Sequence, residues 1–208
     1  AKSDPGAGAR GVSLFLVEAD RPGFTRGRNL DKIGQHSADT SELSFADVRI
    51  PHENILGEEG QGFAYLMGKL SQERLSIAVS AQASAQRAFD EAVDFTKQRK
   101  AFGKTVFDLQ NTRFTLGDLA AKLQVGWAHV DWAIIRHAKG ELTAAEASAA
   151  KLFHTELLFE VADKALQLHG GAGYMNEYMI ARLWRDARVT RIFGGTSEIM
   201  KEVVARSL

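Results

Sequence analysis

Residues 61–98 read QGFAYLMGKLSQERLSIAVSAQASAQRAFDEAVDFTKQ, a stretch without proline whose apolar residues recur at helical spacing. Leu66, Leu70, Ile77, Ala81, Ala85, Ala88, Ala92 and Phe95 step by three or four, or by seven across one gap. That spacing puts them on one face of a long amphipathic helix. Glu73 fills the gap, three residues after Leu70 and four before Ile77, so a carboxylate is expected on the apolar stripe. A buried, unpaired carboxylate is expensive to ionise and its pKa rises. Beside a cleft, such a group suits a general base near neutral pH. The same spacing suits a structural glutamate paired with an arginine of another helix, and periodicity alone favours that plainer role.

Working back towards residue 1, the pattern changes. All three prolines, Pro5, Pro22 and Pro51, precede the helix. Residues 12–18 alternate like a strand between Gly11 and Asp20, and residues 43–50 alternate again until Pro51. Residues 1–60 therefore read as part of a β domain, too few strands to stand alone. The start, Ala1-Lys2-Ser3-Asp4-Pro5-Gly6, has no Met and reaches a strand within about ten residues. It reads as a truncated or nicked product, broken in an exposed Gly/Pro loop.

Working forward, the 3.6 period persists. A second helix is expected over about 107–138, stopping at Gly140. A third opens on a capping box, Thr143 with Glu146, and runs to Gly170 and Gly171. A shorter helix covers about 176–187, and a last one starts at Thr196 or Ser197. Three helices of roughly 30 residues, about 45 Å long, with short links make an antiparallel bundle. The fold class is thus mainly α: residues 61–208 form a helical bundle domain, preceded at 1–60 by a fragment of a β domain. Alanine-rich faces at 78–88 and 144–150 allow close helix approach and hint at self-association.

Composition sets the outer limits. The 208 residues are 45% hydrophobic and 25% charged with zero formal net charge, an ordinary globular balance. Zero net charge argues against a nucleic-acid or membrane-surface binder. With no cysteine there is no disulfide, thiolate metal site or cysteine nucleophile, and no metal site is expected. No apolar run approaches the roughly 18 residues of a membrane span.

Three loops punctuate the helices. Arg99-Lys100-Ala101-Phe102-Gly103-Lys104 is a cationic loop suited to phosphate, or a C-cap whose cations answer the helix dipole. Gln167-Leu168-His169-Gly170-Gly171-Ala172-Gly173-Tyr174 has more glycine than a helix stop needs, leaving backbone N–H groups for an anion or ring edge. His169 by itself reads as a packed polar residue. Arg191-Ile192-Phe193-Gly194-Gly195-Thr196-Ser197-Glu198-Ile199 has a Gly pair leading into a helix N-terminus, an anion-site arrangement with Thr196 as cap.

Each loop is a weak signal; their order and spacing together are specific. With Asp47-Val48-Arg49-Ile50-Pro51, Glu53-Asn54-Ile55-Leu56-Gly57, Gln72-Glu73-Arg74 and Gln110, they make the chain resemble the C-terminal half of an acyl-CoA dehydrogenase over nearly its whole length. The resemblance implies a three-domain flavoenzyme whose C-terminal four-helix bundle builds a tetramer, a dimer of dimers. It implies that the first domain and the start of the second are missing here. Many members carry the base directly before the Gly-Thr of the last motif, where this chain has Gly194. The long-chain and isovaleryl-type branch carries it on the long helix before an Arg, here Glu73-Arg74. The resemblance thus turns the reading of Glu73 from structural to catalytic.

Carried over on the same terms, Glu73 removes the α-proton of an acyl-CoA while the β-hydrogen leaves as hydride to the flavin. Ser71, Gln72 and Arg74 flank the thioester, with Gly194 and Gly195 opposite and Arg206 as a further acyl-CoA contact. Arg99, Lys100, Ala101 and Gln110 hold the adenine-pyrophosphate end of FAD. Gln167, Leu168, His169, Gly170 and Gly171 hold a neighbouring subunit's FAD, and Thr196, Ser197 and Glu198 complete that pocket. His169 stands where many members have an aromatic or another residue. Electron-transfer flavoprotein is the implied acceptor, and a bacterial cytoplasm or the mitochondrial matrix the implied compartment. An acyl-CoA oxidase-like or nitroalkane-oxidising flavoenzyme, or a non-catalytic helical oligomerisation domain, are the rival readings.

Overall fold

The computed structural model describes residues 1–208, which divide into two compact units, Ala1–Leu70 and Ser71–Leu208. In the first unit, β1 (Phe24–Asn29) and β2 (Ser41–Phe45) form an antiparallel pair. Phe24 faces Phe45 across the ladder with ring centroids 5.1 Å apart, and the register slips between Arg26 and Asn29. β2 ends sooner than the alternation over 43–50 suggests, because Asp47 turns to φ 51°. The strand expected at 12–18 does not form a ladder. It makes single bridges, Val12 to Gln61 and Phe15 to Ile55. Its facing segment cannot extend, since His52–Asn54 is a 3₁₀ turn and Gly57 and Gly60 have positive φ. β1 was not anticipated, because FTRGRN carries neither alternation nor β-branched density.

The helices fall close to their expected limits: α1 Gly62–Gln98, α2 Gln110–Ala138, α3 Ala144–His169, α4 Met179–Ala187 and α5 Ser197–Ala205. Between α1 and α2 the chain makes a two-residue hairpin, β3 (Lys100–Ala101) and β4 (Lys104–Thr105), then a 3₁₀ turn at Val106–Asp108 that delays α2. The Thr143/Glu146 capping box is present: Glu146 N–H donates to Thr143 Oγ1 and Thr143 N–H to Glu146 Oε2. Arg74–Ser148, Gln82–His154 and Phe95–His169 contacts advance together, so α1 and α3 run parallel. α2 runs against both, with Lys122 on Glu160 and Arg136 on Glu146.

The core is built from small residues on one side and branched ones on the other. Ala81, Ala85, Ala88 and Ala92 of α1 pack with Leu116, Leu119 and Leu123 of α2 and Leu157, Leu158, Val161 and Ala165 of α3. At Gly126 a Cβ would collide with the Gln82 side chain, so α2 approaches α1 closely there. The Gln82 amide donates to Leu123 O at 3.0 Å, and its oxygen meets His154 Nδ1 at 3.0 Å. No helix is long and apolar enough to cross a membrane.

Candidate functional site

The buried line of α1 runs through Arg74, Ala78, Ala81, Ala85, Ala88 and Ala92, not through Glu73. At about 100° per residue, Glu73 lies roughly a third of a turn off that line. It is exposed. The expectation of a buried carboxylate on the apolar stripe therefore fails in this chain. Leu66 and Ile77, counted as stripe residues, lie on the flank with it. The inward charge of the Glu73-Arg74 pair is the arginine. Arg74 is buried and donates from Nη1 to Ser148 Oγ at 3.0 Å, while its Nε has no partner. Burial pushes its pKa down, against the opposing charge of Glu73. Arg74 thus lines the bundle interior. Ser71 is half-buried and Gln72 exposed.

Gly194 and Gly195 form a turn with φ 64° and 101°, and it lies against α1. A Cβ at Gly194 would collide with Ile77 Cδ1. Ile77 stands four residues after Glu73, on the same side of the helix. The two positions where the resemblance seeks a base are thereby neighbours, and only Glu73 has a carboxylate. Behind the turn, Lys151 of α3 donates to Gly195 O at 2.6 Å. Burial lowers the Lys151 pKa and Arg74 adds to that, while Glu156 opposes it. The sequence reading missed Lys151. Its signal was a lysine on the inward face of α3, one residue after the buried Ala150.

Around the start of α5 the polar groups are engaged with each other. Thr196 Oγ1 accepts from Ile199 N–H as the N-cap. Ser197 is buried and donates to Glu156 Oε1 at 2.6 Å, so its hydroxyl is engaged within the chain. Burial pushes the Glu156 pKa up, but the Ser197 hydroxyl and Arg191 outweigh it and hold it low. Glu198 is exposed, its pKa held low by its own backbone N–H and by Thr196. Arg206 is exposed and paired with Glu202 at 2.7 Å.

The remaining candidates lie at the other end of the bundle. Glu73 and Gln98 share α1 and are about 38 Å apart at 1.5 Å per residue. Just beyond Gln98, Arg99, Lys100 and Lys104 are exposed around the hairpin, and Phe102 at its tip is 91% exposed with φ 53°. Ala101 is half-buried and Gln110 exposed. At the same end α3 stops: Gln167, Gly170, Gly171 and Tyr174 are exposed, and nothing stands within 4 Å of a Cβ built on Gly170 or Gly171. Leu168 and His169 point inward instead. Leu168 packs on the core, and His169 bonds Ala165 O at 2.7 Å and stacks on Phe95 at 4.3 Å. Within the chain His169 is packed, as its type alone suggested. Three unpaired cations, an open phenyl ring and an uncovered glycine pair fit a pyrophosphate joined to an aromatic base. Phe102 and Lys104 of the same loop therefore join the residues that the resemblance implied there, Arg99, Lys100, Ala101 and Gln110. Within one chain, Thr196 and Glu198 stand by Lys151 and Glu156, about three turns of α3 or more before 167–171.

The chain has relatives among known proteins. The family model for the acyl-CoA dehydrogenase C-terminal domain matches residues 60–208. The long-chain specific acyl-CoA dehydrogenase of Sus scrofa mitochondria is 50% identical over 200 residues, 96% of this chain and 46% of that protein. The crystal structure of an acyl-CoA dehydrogenase from Geobacillus kaustophilus superposes with a TM-score of 0.96 at 47% identity, covering 100% of this chain and 55% of that one. A structure described as PigA with FAD and proline gives 0.94 at 28% identity, covering 100% and 54%. The chain belongs to the acyl-CoA dehydrogenase family. It spans about half the length of the relatives it matches.

Proposed function

We propose that this chain supplies the base and part of the cofactor surface of a FAD-dependent acyl-CoA dehydrogenase, which converts an acyl-CoA thioester to its trans-2-enoyl-CoA. One observation carries the reading: the Gly194 turn rests on α1 at Ile77, one helical turn from Glu73. With glycine at 194, Glu73 is the carboxylate offered to a substrate held there. Glu156 is tied to Ser197 and Arg191, and Glu198 sits at the start of α5. Glu73 takes the α-proton as a double bond forms between the α- and β-carbons. When bound, FAD accepts the β-hydrogen with its electron pair. Gln72 and the half-buried Gly194 and Gly195 would flank the same substrate.

The separation of the two ligand regions supports a cofactor shared between copies of the chain. Thr196 and Glu198 serve its ring end beside Glu73. Arg99, Lys100, Phe102, Gln110, Gln167, Gly170 and Gly171 of another copy take the pyrophosphate and adenine end. The resemblance extends this to a tetramer, to electron-transfer flavoprotein as acceptor, and to a bacterial cytoplasm or the mitochondrial matrix. The pig relative, named mitochondrial, supports the second compartment. The test is anaerobic mixing of the flavin-loaded protein, at its relatives' full length, with acyl-CoA esters of graded chain length. Bleaching of the flavin, with enoyl-CoA formed in equal amount, is expected. No bleaching with any ester removes the reading, and faster reoxidation by oxygen than by electron-transfer flavoprotein makes it an oxidase.

A further inference from the structure

Lys151 is the largest side chain that is wholly buried, at 0% exposure. It lies among Ala147, Ser148, Ala150 and Thr155, all buried. No carboxylate touches it; Glu156, Glu198 and the Arg74 cation act on it only through their charge. A buried ammonium without a counter-ion is less favourable than a methionine or leucine of similar volume. Its hydrogen bond goes to one place, the Gly195 carbonyl at 2.6 Å. That carbonyl belongs to a turn of two glycines with positive φ, the backbone type with the most conformational freedom. The same turn is packed between Ile77 and Met200, whose terminal methyls would have to shift for a Cβ on Gly194 or Gly195.

We propose that Lys151 is a positioning residue: from inside α3 it fixes the Gly194/Gly195 turn against the α1 turn that follows Glu73. The inference rests on the dehydrogenase reading, because the turn forms the wall facing the base. Lys151 touches neither substrate nor cofactor. It acts through Gly195, whose carbonyl it holds while the backbone on either side meets the ligand. Displacing a reacting carbon by about 1 Å from its base costs about 10²-fold in rate.

Lys151→Met and Lys151→Gln in the flavin-loaded protein test it. The readouts are single-turnover flavin reduction, the acyl-CoA KM and amide exchange. For Lys151→Met, flavin reduction is expected to fall about 10–100-fold with KM changed less than about three-fold. Amides from Gly195 to Met200 should exchange about ten-fold faster while those of Ala81 to Ala92 stay unchanged. Lys151→Gln, which keeps a donor, should fall between the two. A reduction rate for Lys151→Met within about three-fold of native overturns the proposal. So does a loss of rate matched by faster exchange throughout α3 and α5, the mark of a merely structural role. If Lys151→Met does not fold, heteronuclear NMR of the lysine-labelled native protein decides. Slowly exchanging Lys151 ammonium protons coupled to the Gly195 carbonyl support the proposal, and rapid exchange overturns it. If native protein is reduced by no acyl-CoA, the dehydrogenase reading and the positioning role fall together. The exchange data then say only whether Lys151 anchors the turn.

Discussion

The two ends of α1 are built on opposite plans. Near Glu73 the polar side chains behind the surface are tied within the chain, though Arg74 Nε is left without a partner: Arg74 holds Ser148, Lys151 holds Gly195, and Ser197 holds Glu156. Beyond Gln98 the cations Arg99, Lys100 and Lys104 have no ion-pair partner, and Phe102 stands in solvent. One end fixes its own backbone, as a site for bond-breaking must. The other leaves its donors free, as a surface awaiting a phosphate must. Substitutions at the two ends should therefore fail in different ways.

The largest effect belongs to Glu73. Glu73→Gln should keep flavin and acyl-CoA binding yet slow single-turnover flavin reduction by about 10²–10⁴-fold, the range for a lost general base. Retention of more than about a tenth of the native rate would remove Glu73 from the role and erase the chemical distinction between the ends.

Between the ends, His154 gives a stability test. Its pKa is lowered from 6.5 to about 4, first by burial and then by the facing His129. Its Nε2 is buried without a partner. The unfolded chain binds this proton near pH 6.5 and the folded one only near pH 4. The contribution is therefore whole above pH 6.5, is lost as pH falls towards 4, and is level below that, about 3 kcal/mol in all. Urea melts from pH 7.5 to 4 should show this slope in the native protein and a flatter one in His154→Gln. Equal slopes would mean that His154 is already solvated.

Gly194→Ala should be strained twice, by φ 64° and by collision with Ile77, at about 1–3 kcal/mol. Ile77→Ala in the same chain should recover the collision part, leaving the φ strain. Gly194→Glu with Glu73→Gln and Ile77→Ala should then restore part of the flavin reduction. Calorimetric melts and stopped-flow reduction read the two outcomes. Full recovery of stability by Ile77→Ala would show that the turn is not held in its conformation.

The smallest stability effect is expected at the far end. Arg99→Ala and Phe102→Ala should change the melting free energy by less than about 0.5 kcal/mol, as exposed positions do. They should nevertheless weaken FAD retention, measured by ultrafiltration. A large loss of stability with unchanged flavin content would reverse the contrast between the ends.

Much of the fold is legible in the sequence for local reasons. Thr143 with Glu146, the stop at Gly140 and the glycines at 170 and 171 act within one turn of themselves, so the pattern carries them. Strand pairing in the first unit is not local, and residues 12–18 alternate yet find only a turn to bridge. The error over Glu73 has a packing cause. Counting apolar residues favoured the large Leu66, Ile77 and Phe95. The helix does bury Ala81, Ala85, Ala88 and Ala92, but it continues that line through Ala78 and Arg74 and not through Ile77 and Glu73, because α2 and α3 come close enough to need small residues there. Arg74, Gln82, Lys151 and His154 could not be read from hydropathy, since each is polar and each is inside. Glu73 and Gly194 were legible as a pair only through the resemblance; their proximity needed the turn at Ile77.

A wall of alanines is smooth, and smooth walls slide. A helix faced by Ala78, Ala81, Ala85, Ala88 and Ala92 would meet its neighbours almost as well after slipping one turn, about 5.4 Å along its axis. Gln82 forbids the slip. Its amide is pinned at once to a carbonyl of α2 and an imidazole of α3, in the slot cut by Gly126. One step either way would bury that amide, the imidazole and the Arg74 guanidinium without partners. The polar side chains inside this bundle thus serve as its index marks. They tell three interchangeable surfaces where to stop, and so decide which residue of α1 stands beside the Gly194 turn.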